Sequence, residues 1–189
     1  MSLRIVPFVL LLVVPPTARA ANPEAVRAPR EMVVTAHELA TRAGAQALAA
    51  GGNAVDAAVA VAFALAVVFP EAGNLAGGGF LLLAPAEGPV RALDFRETAP
   101  AAARRDMFLD EAGGVVPGRS LDGWVAVGVP GTVRGMAELH AAHGRLPWRD
   151  LVLPAARLAG EGFRVDADLA ASLAEEAARL RGSESCRAV

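Results

Sequence analysis

The chain has 189 residues, of which 54% are hydrophobic and 20% charged: enough apolar mass for one domain with a buried core, and too little polarity for a disordered protein. A formal net charge of −2 with no block of like charge excludes the basic footprint that a nucleic-acid partner requires. The lone cysteine, Cys186, excludes an internal disulfide framework.

In chain order, Arg4 precedes an apolar run at 5–14, then Pro15-Pro16 and the small-residue pattern Ala18-Arg19-Ala20, so residues 1–20 read as a signal peptide cleaved after Ala20. The run is about half of the roughly 20 residues needed to span a bilayer, so no stable membrane span is expected and the protein is expected to be periplasmic or secreted. Residues 21–35 read as a tether ending in a short β-branched strand at 32–35. The alanine-rich stretch 36–50, with Leu39, Ala43, Ala47 and Leu48 at helical spacing, predicts an amphipathic helix closed by Gly51-Gly52. Asn53 caps a second helix over 54–69 that is apolar on nearly every face and stops at Pro70, the pattern of a buried helix. Its one polar residue, Asp56, lies in the first turn and reads as a partner of the helix dipole.

Pro70 to Gly79 is turn-rich and ends in three glycines, Gly77, Gly78 and Gly79. Their backbone is free to bend or to turn its N–H groups toward a ligand, and the residues alone do not decide between the two. A phosphate loop is excluded, since neither Gly-Lys-Ser/Thr nor Gly-x-Gly-x-x-Gly follows. Glu87-Gly88-Pro89 turns a strand at 80–84 into a second at 90–95, and because both are apolar on both faces the hairpin is expected to be covered by helices. Arg96 ends the second strand between Asp94 and Glu97. Its guanidinium either pairs with those acids as a structural group or faces a pocket, where its planar fork suits a carboxylate bound bidentately.

Beyond it, 101–107 is helical in composition, 110–122 is a glycine-rich loop, and 124–129 reads as a strand that Pro130-Gly131-Thr132 turns into a helix at 133–143. His140 and His143 stand at i, i+3 with no third ligand and read as surface histidines, so neither a metal nor another cofactor is expected. Helices follow at 148–159 and 167–181, the latter with Glu175 and Arg179 as an i, i+4 pair, and 182–189 reads as an unstructured tail.

Several of these motifs occur together in one family. Gly51-Gly52-Asn53-Ala54-Val55-Asp56-Ala57-Ala58-Val59-Ala60, Pro70-Glu71-Ala72-Gly73-Asn74, Gly77-Gly78-Gly79-Phe80 and Asp94-Phe95-Arg96-Glu97-Thr98-Ala99-Pro100 closely resemble the amino-terminal part of gamma-glutamyltransferases, the enzymes also called glutathione hydrolases. Val127-Gly128-Val129-Pro130-Gly131-Thr132-Val133, Gly144-Arg145-Leu146-Pro147-Trp148, Pro154-Ala155-Ala156 and Glu161-Gly162-Phe163 continue the match in order, so that residues 36–181 correspond to the front of the family's large subunit.

The resemblance implies an α+β chain that supplies part of a four-layer αββα sandwich of the N-terminal nucleophile hydrolase type, incomplete here. It implies cleavage of the gamma-glutamyl bond of glutathione and related amides, with acyl transfer to water, amino acids or peptides, by a precursor that cuts itself into a large and a small subunit. It assigns Arg96 to the alpha-carboxylate of the gamma-glutamyl group, with Glu97 and Asp94 supporting it and Gly77, Gly78 and Gly79 forming the turn near the site. The family often carries a further glycine where this chain has Ala76. None of Thr17, Thr35, Thr41, Thr98 and Thr132 begins the Thr-His pair that marks the family's processing site, so the nucleophile is expected downstream, on the small-subunit partner, and the chain alone is expected to be inactive. Two alternatives stay open: a relative of the cephalosporin acylases, whose glutaryl substrates also offer a carboxylate, and a non-catalytic truncated remnant.

Overall fold

The computed structural model describes residues 25–182 and 186, so the expected signal peptide and most of the expected tail lie outside the described residues. Residues 25–30 are exposed irregular chain, assigned to a unit distinct from the body that begins at Glu31.

The body is organised around the helix whose sequence is apolar all round. This helix, α2 (Ala54–Val68), follows α1 (Glu38–Ala49) and buries Val59, Ala64 and Val68 completely. It packs against α1 on one side and against α4 (Trp148–Glu161) on another, with a lesser contact to α3 (Thr132–His143). Alanine side chains let the helices approach closely, while Phe63, Met136, Leu139 and Leu151 fill the larger gaps. No described helix is long and apolar enough to cross a membrane. The last helix, α5 (Ala167–Gly182), contributes one buried side chain, Leu169.

The start of α2 is closed by a reciprocal cap. Asn53 Oδ1 accepts from the backbone N–H groups of Val55 (2.8 Å) and Asp56 (3.1 Å), and Asp56 Oδ2 accepts from Asn53 N–H at 2.8 Å. Asp56 does more than complement a helix dipole. It is fully buried, and its Oδ1 also accepts from Arg145 N–H (3.0 Å) and Leu146 N–H (3.2 Å), binding the α3–α4 turn to α2. Burial pushes this carboxyl up, but the three backbone donors and nearby His140 outweigh it and hold it below the usual carboxylate range.

His140 is correspondingly not a surface residue. Its ring packs edge-on against Trp148, and Nε2 donates to Leu146 O at 2.8 Å; a carbonyl can only accept, which fixes the proton on that nitrogen. Among the described residues no three His, Cys, Asp or Glu side chains gather in a metal-binding group.

The sheet has two strands, β1 (Phe80–Leu83) and β2 (Arg91–Asp94), antiparallel with Phe80 opposite Asp94 and Leu82 opposite Ala92. The expectation of a doubly covered hairpin fails on one side. Leu81, Leu83 and Leu93 pack on the helical core, whereas Phe80 (69% exposed) and Leu82 (75% exposed) face out, because the described helices lie on one face only.

Three further expectations fail. Residues 31–35 are extended but unpaired, residues 101–107 form turns, and Trp124–Ala126 is a short 3-10 helix entered through Gly123 at φ 85°, after which Val129 alone bridges to Thr98. The pairing expected for Glu175 falls instead to Glu176, whose carboxylate accepts from Arg179 Nε at 2.6 Å, while Arg179 also reaches Asp122.

Candidate substrate-carboxylate site

The site is assembled where three segments meet: the glycine run, the end of β2, and the start of α3. Asn74 opens it. Its Oδ1 accepts from Gly77 N–H (3.0 Å) and from the Thr132 hydroxyl (2.6 Å), two residues far apart in sequence. Gly77 O in turn accepts from Gly131 N–H (2.8 Å) and Thr132 N–H (3.0 Å), so donors at the beginning of α3 that lack helical partners are satisfied by the turn.

This brings Gly78 against the backbone of the arginine motif. A Cβ on Gly78 would lie 2.6 Å from Arg96 Cα and 2.6 Å from Phe95 O, so the residue is glycine because backbone meets backbone there. Gly131 is tighter still, its would-be Cβ 2.0 Å from Phe95 O. Phe95 N–H donates to Gly79 O at 3.0 Å and carries the hairpin ladder one residue further, and Thr98 and Val129 exchange two backbone hydrogen bonds on the far side of Arg96.

Arg96 thus stands on a braced backbone with an exposed side chain. Its N–H donates to Asp94 Oδ1 at 3.0 Å, and its Nε donates to Glu97 Oε2 at 3.0 Å. The Glu97 carboxyl is held below its ordinary range first by its own backbone N–H and then by the Arg96 hydrogen bond, so it stays an anion and an acceptor. The guanidinium carbon lies 5.7 Å from the centroid of the Phe80 ring. Among the described residues the terminal Nη groups of Arg96 have no hydrogen-bond partner. Beside Arg96 and Glu97 lies an open depression of about 420 Å³ walled by apolar side chains including Met107, Phe108 and Val127.

The structure therefore brings together Arg96, Glu97, Asp94, Gly77, Gly78 and Gly79 as neighbours. Glu97 and Asp94 engage the side chain and the backbone of Arg96 respectively, which leaves the outer edge of the fork open to an anion. Sequence reasoning missed Asn74 and Thr132, whose link spans 58 positions, and Phe80, which read as a core strand residue. Only Asn74 carried a local signal, as an Asx residue three positions before a glycine in a turn.

A profile of the family described as gamma-glutamyltranspeptidase matches residues 40–189. The chain belongs to the gamma-glutamyltranspeptidase family. It is 50% identical over 144 residues to the glutathione hydrolase proenzyme of Pseudomonas sp. strain A14, a match that covers 76% of this chain and 25% of that protein. Among solved structures, the gamma-glutamyltranspeptidase of Helicobacter pylori superposes with a TM-score of 0.82 at 44% identity, covering 86% of this chain and 46% of that one. The cephalosporin acylase of Bacillus halodurans superposes with a TM-score of 0.69 at 30% identity, covering 86% of this chain and 31% of that one. The chain thus spans about a quarter of the curated relative and under half of the solved transpeptidase. Its helices and hairpin form an incomplete α+β portion of the N-terminal nucleophile hydrolase fold that these relatives share.

Proposed function

We propose that this chain carries the carboxylate-recognition half of a gamma-glutamyl transfer site, with Arg96 binding the alpha-carboxylate of glutathione or another gamma-glutamyl compound. The observation that carries the reading is the divided guanidinium: Nε is engaged by Glu97 while both Nη groups have no hydrogen-bond partner among the described residues. A carboxylate meeting that edge accepts two parallel charge-assisted hydrogen bonds. The reaction in this reading is acyl transfer of the gamma-glutamyl group to water or to an amine acceptor through a threonine nucleophile, and family membership supports it.

That nucleophile comes from outside the described residues. The Thr132 hydroxyl is committed to Asn74, and Thr35 is bonded to Thr41 and to His37 O. Thr98 sits in a backbone bridge with Val129. In this reading the working enzyme is an exported precursor processed into two subunits. This chain lies in the large one and has no turnover of its own. The relatives named as proenzymes support that arrangement.

The experiment is a titration of the 189-residue chain with L-glutamate, followed by the NMR signals of Arg96 Nε–H and of the Gly77, Gly78 and Gly79 amides. Saturable shifts are expected, weakened about tenfold or more in Arg96→Lys, which keeps the charge and loses the fork. Equal shifts in both proteins would sink the assignment. The likeness to a cephalosporin acylase gives a second reading, a site for glutaryl compounds, which lack the alpha-amino group; preference for glutarate over L-glutamate in the same titration would select it.

A further inference from the structure

An arginine fork presents its Nη edge in one direction only if both its axis and its plane are held. Glu97, bonded at Nε, holds the axis and leaves rotation of the plane about that contact free. The remaining restraint comes from Phe80. This ring projects from the open face of the hairpin, opposite Asp94 in register and 69% exposed, so apolar burial does not account for its place. What it does face is the guanidinium, 5.7 Å from its centroid, within the range in which a cation is drawn to an aromatic face.

We propose that Phe80 is a positioning residue for substrate binding: its ring fixes the plane of the Arg96 guanidinium, closes that face to acceptors, and so directs an incoming alpha-carboxylate to the in-plane Nη edge. This rests on the reading of Arg96 as the carboxylate site. Phe80 touches the binding group rather than the substrate, so its contribution is to orientation. Leucine at position 80 would keep a strand residue of similar size while removing the π face; tryptophan would restore it.

The test uses the whole 189-residue chain in three forms, parent, Phe80→Leu and Phe80→Trp, with backbone amide spectra confirming that the hairpin is intact in each. Arg96 Nε–H relaxation and the Arg96 Hδ shifts are read first. In the parent and in Phe80→Trp the Nε–H is ordered like rigid backbone and the Hδ protons are moved upfield by the ring. In Phe80→Leu the order parameter falls below about 0.6 and the ring shift is lost. L-Glutamate affinity is read second, and falls about two- to fivefold in Phe80→Leu with recovery in Phe80→Trp. Arg96 order that is indifferent to Phe80→Leu overturns the role of Phe80, as does altered order with unchanged affinity. Order that responds, in a chain that never binds L-glutamate, overturns instead the reading of Arg96.

Discussion

The two ends of α2 lead into regions built on opposite terms. At its N-terminus, Asp56 is fully buried and each of its hydrogen bonds comes from a backbone donor, so the polar group is satisfied where it is buried. Beyond its C-terminus, the glycine run and hairpin have a well-bonded backbone and one face of the hairpin on the core, but the large side chains of its other face, Phe80 and Leu82, stay in water. The helical region is closed by what it buries; the hairpin region is held in place by hydrogen bonds while its outer surface is left open. A site that must admit an anion belongs in the second kind of region, because the first leaves no group unsatisfied.

Removing Asp56 should break this comparison hardest. Asp56→Ala takes away the one acceptor that joins the N–H groups of Asn53, Arg145 and Leu146, and an unfolding free-energy loss of about 3–5 kcal/mol is expected from denaturant titration. The same residue sets an acid limb. Its folded carboxyl titrates below the unfolded value of about 3.9, so its stabilisation is fully present above that value and is lost as pH falls through the folded one. Melting temperature measured between pH 6 and 2 should therefore drop less steeply at the acid end in Asp56→Ala than in the parent. Parallel curves would show that another carboxyl governs the limb.

A smaller loss is expected from Gly78→Ala, which forces a methyl onto the backbone of Arg96 and Phe95. Overpacking of this kind costs about 1–3 kcal/mol, and the Arg96 and Glu97 amide signals should move while those of α1 stay fixed. Shifts spread evenly over α1 and α2 would mean that the two regions are mechanically one. The smallest effect is expected from Leu82→Thr on the open face of the hairpin, within about 0.5 kcal/mol of the parent by thermal melt. A loss of several kcal/mol there would show that the face is covered in solution.

Helices were legible wherever one local pattern sufficed. Alanine and leucine spacing marked α1, the Asn53 cap and Pro70 bounded α2, and Pro130-Gly131-Thr132 led into α3, each within about two residues of its observed end. Strands at 32–35 and 124–129 had suitable residues, but a strand exists only with a partner, and neither found one beyond the single Val129 bridge. The site was half legible. The Asp-Phe-Arg-Glu run set Arg96 between its two acids without deciding its role, whereas the brace from Asn74 to Thr132 and the hydrogen bonds from Arg145 and Leu146 to buried Asp56 join positions 58 to 90 apart that no local window contains. On α5, Arg179 pairs at i, i+3 with Glu176 and also meets Asp122, a residue outside the helix that no helical spacing rule includes.

The clasp of Gly77 O by the amides of Gly131 and Thr132 at the start of α3 also bears on how such a chain can vary. It pins the glycine turn directly to the helix start, and the Thr98–Val129 bridge closes the neck of everything between. The long excursion through residues 101–123 is thereby placed in parallel with the arginine mount instead of in series with it. Insertions or deletions there lengthen or shorten a loop whose ends are already tied, and the position of the guanidinium is inherited unchanged.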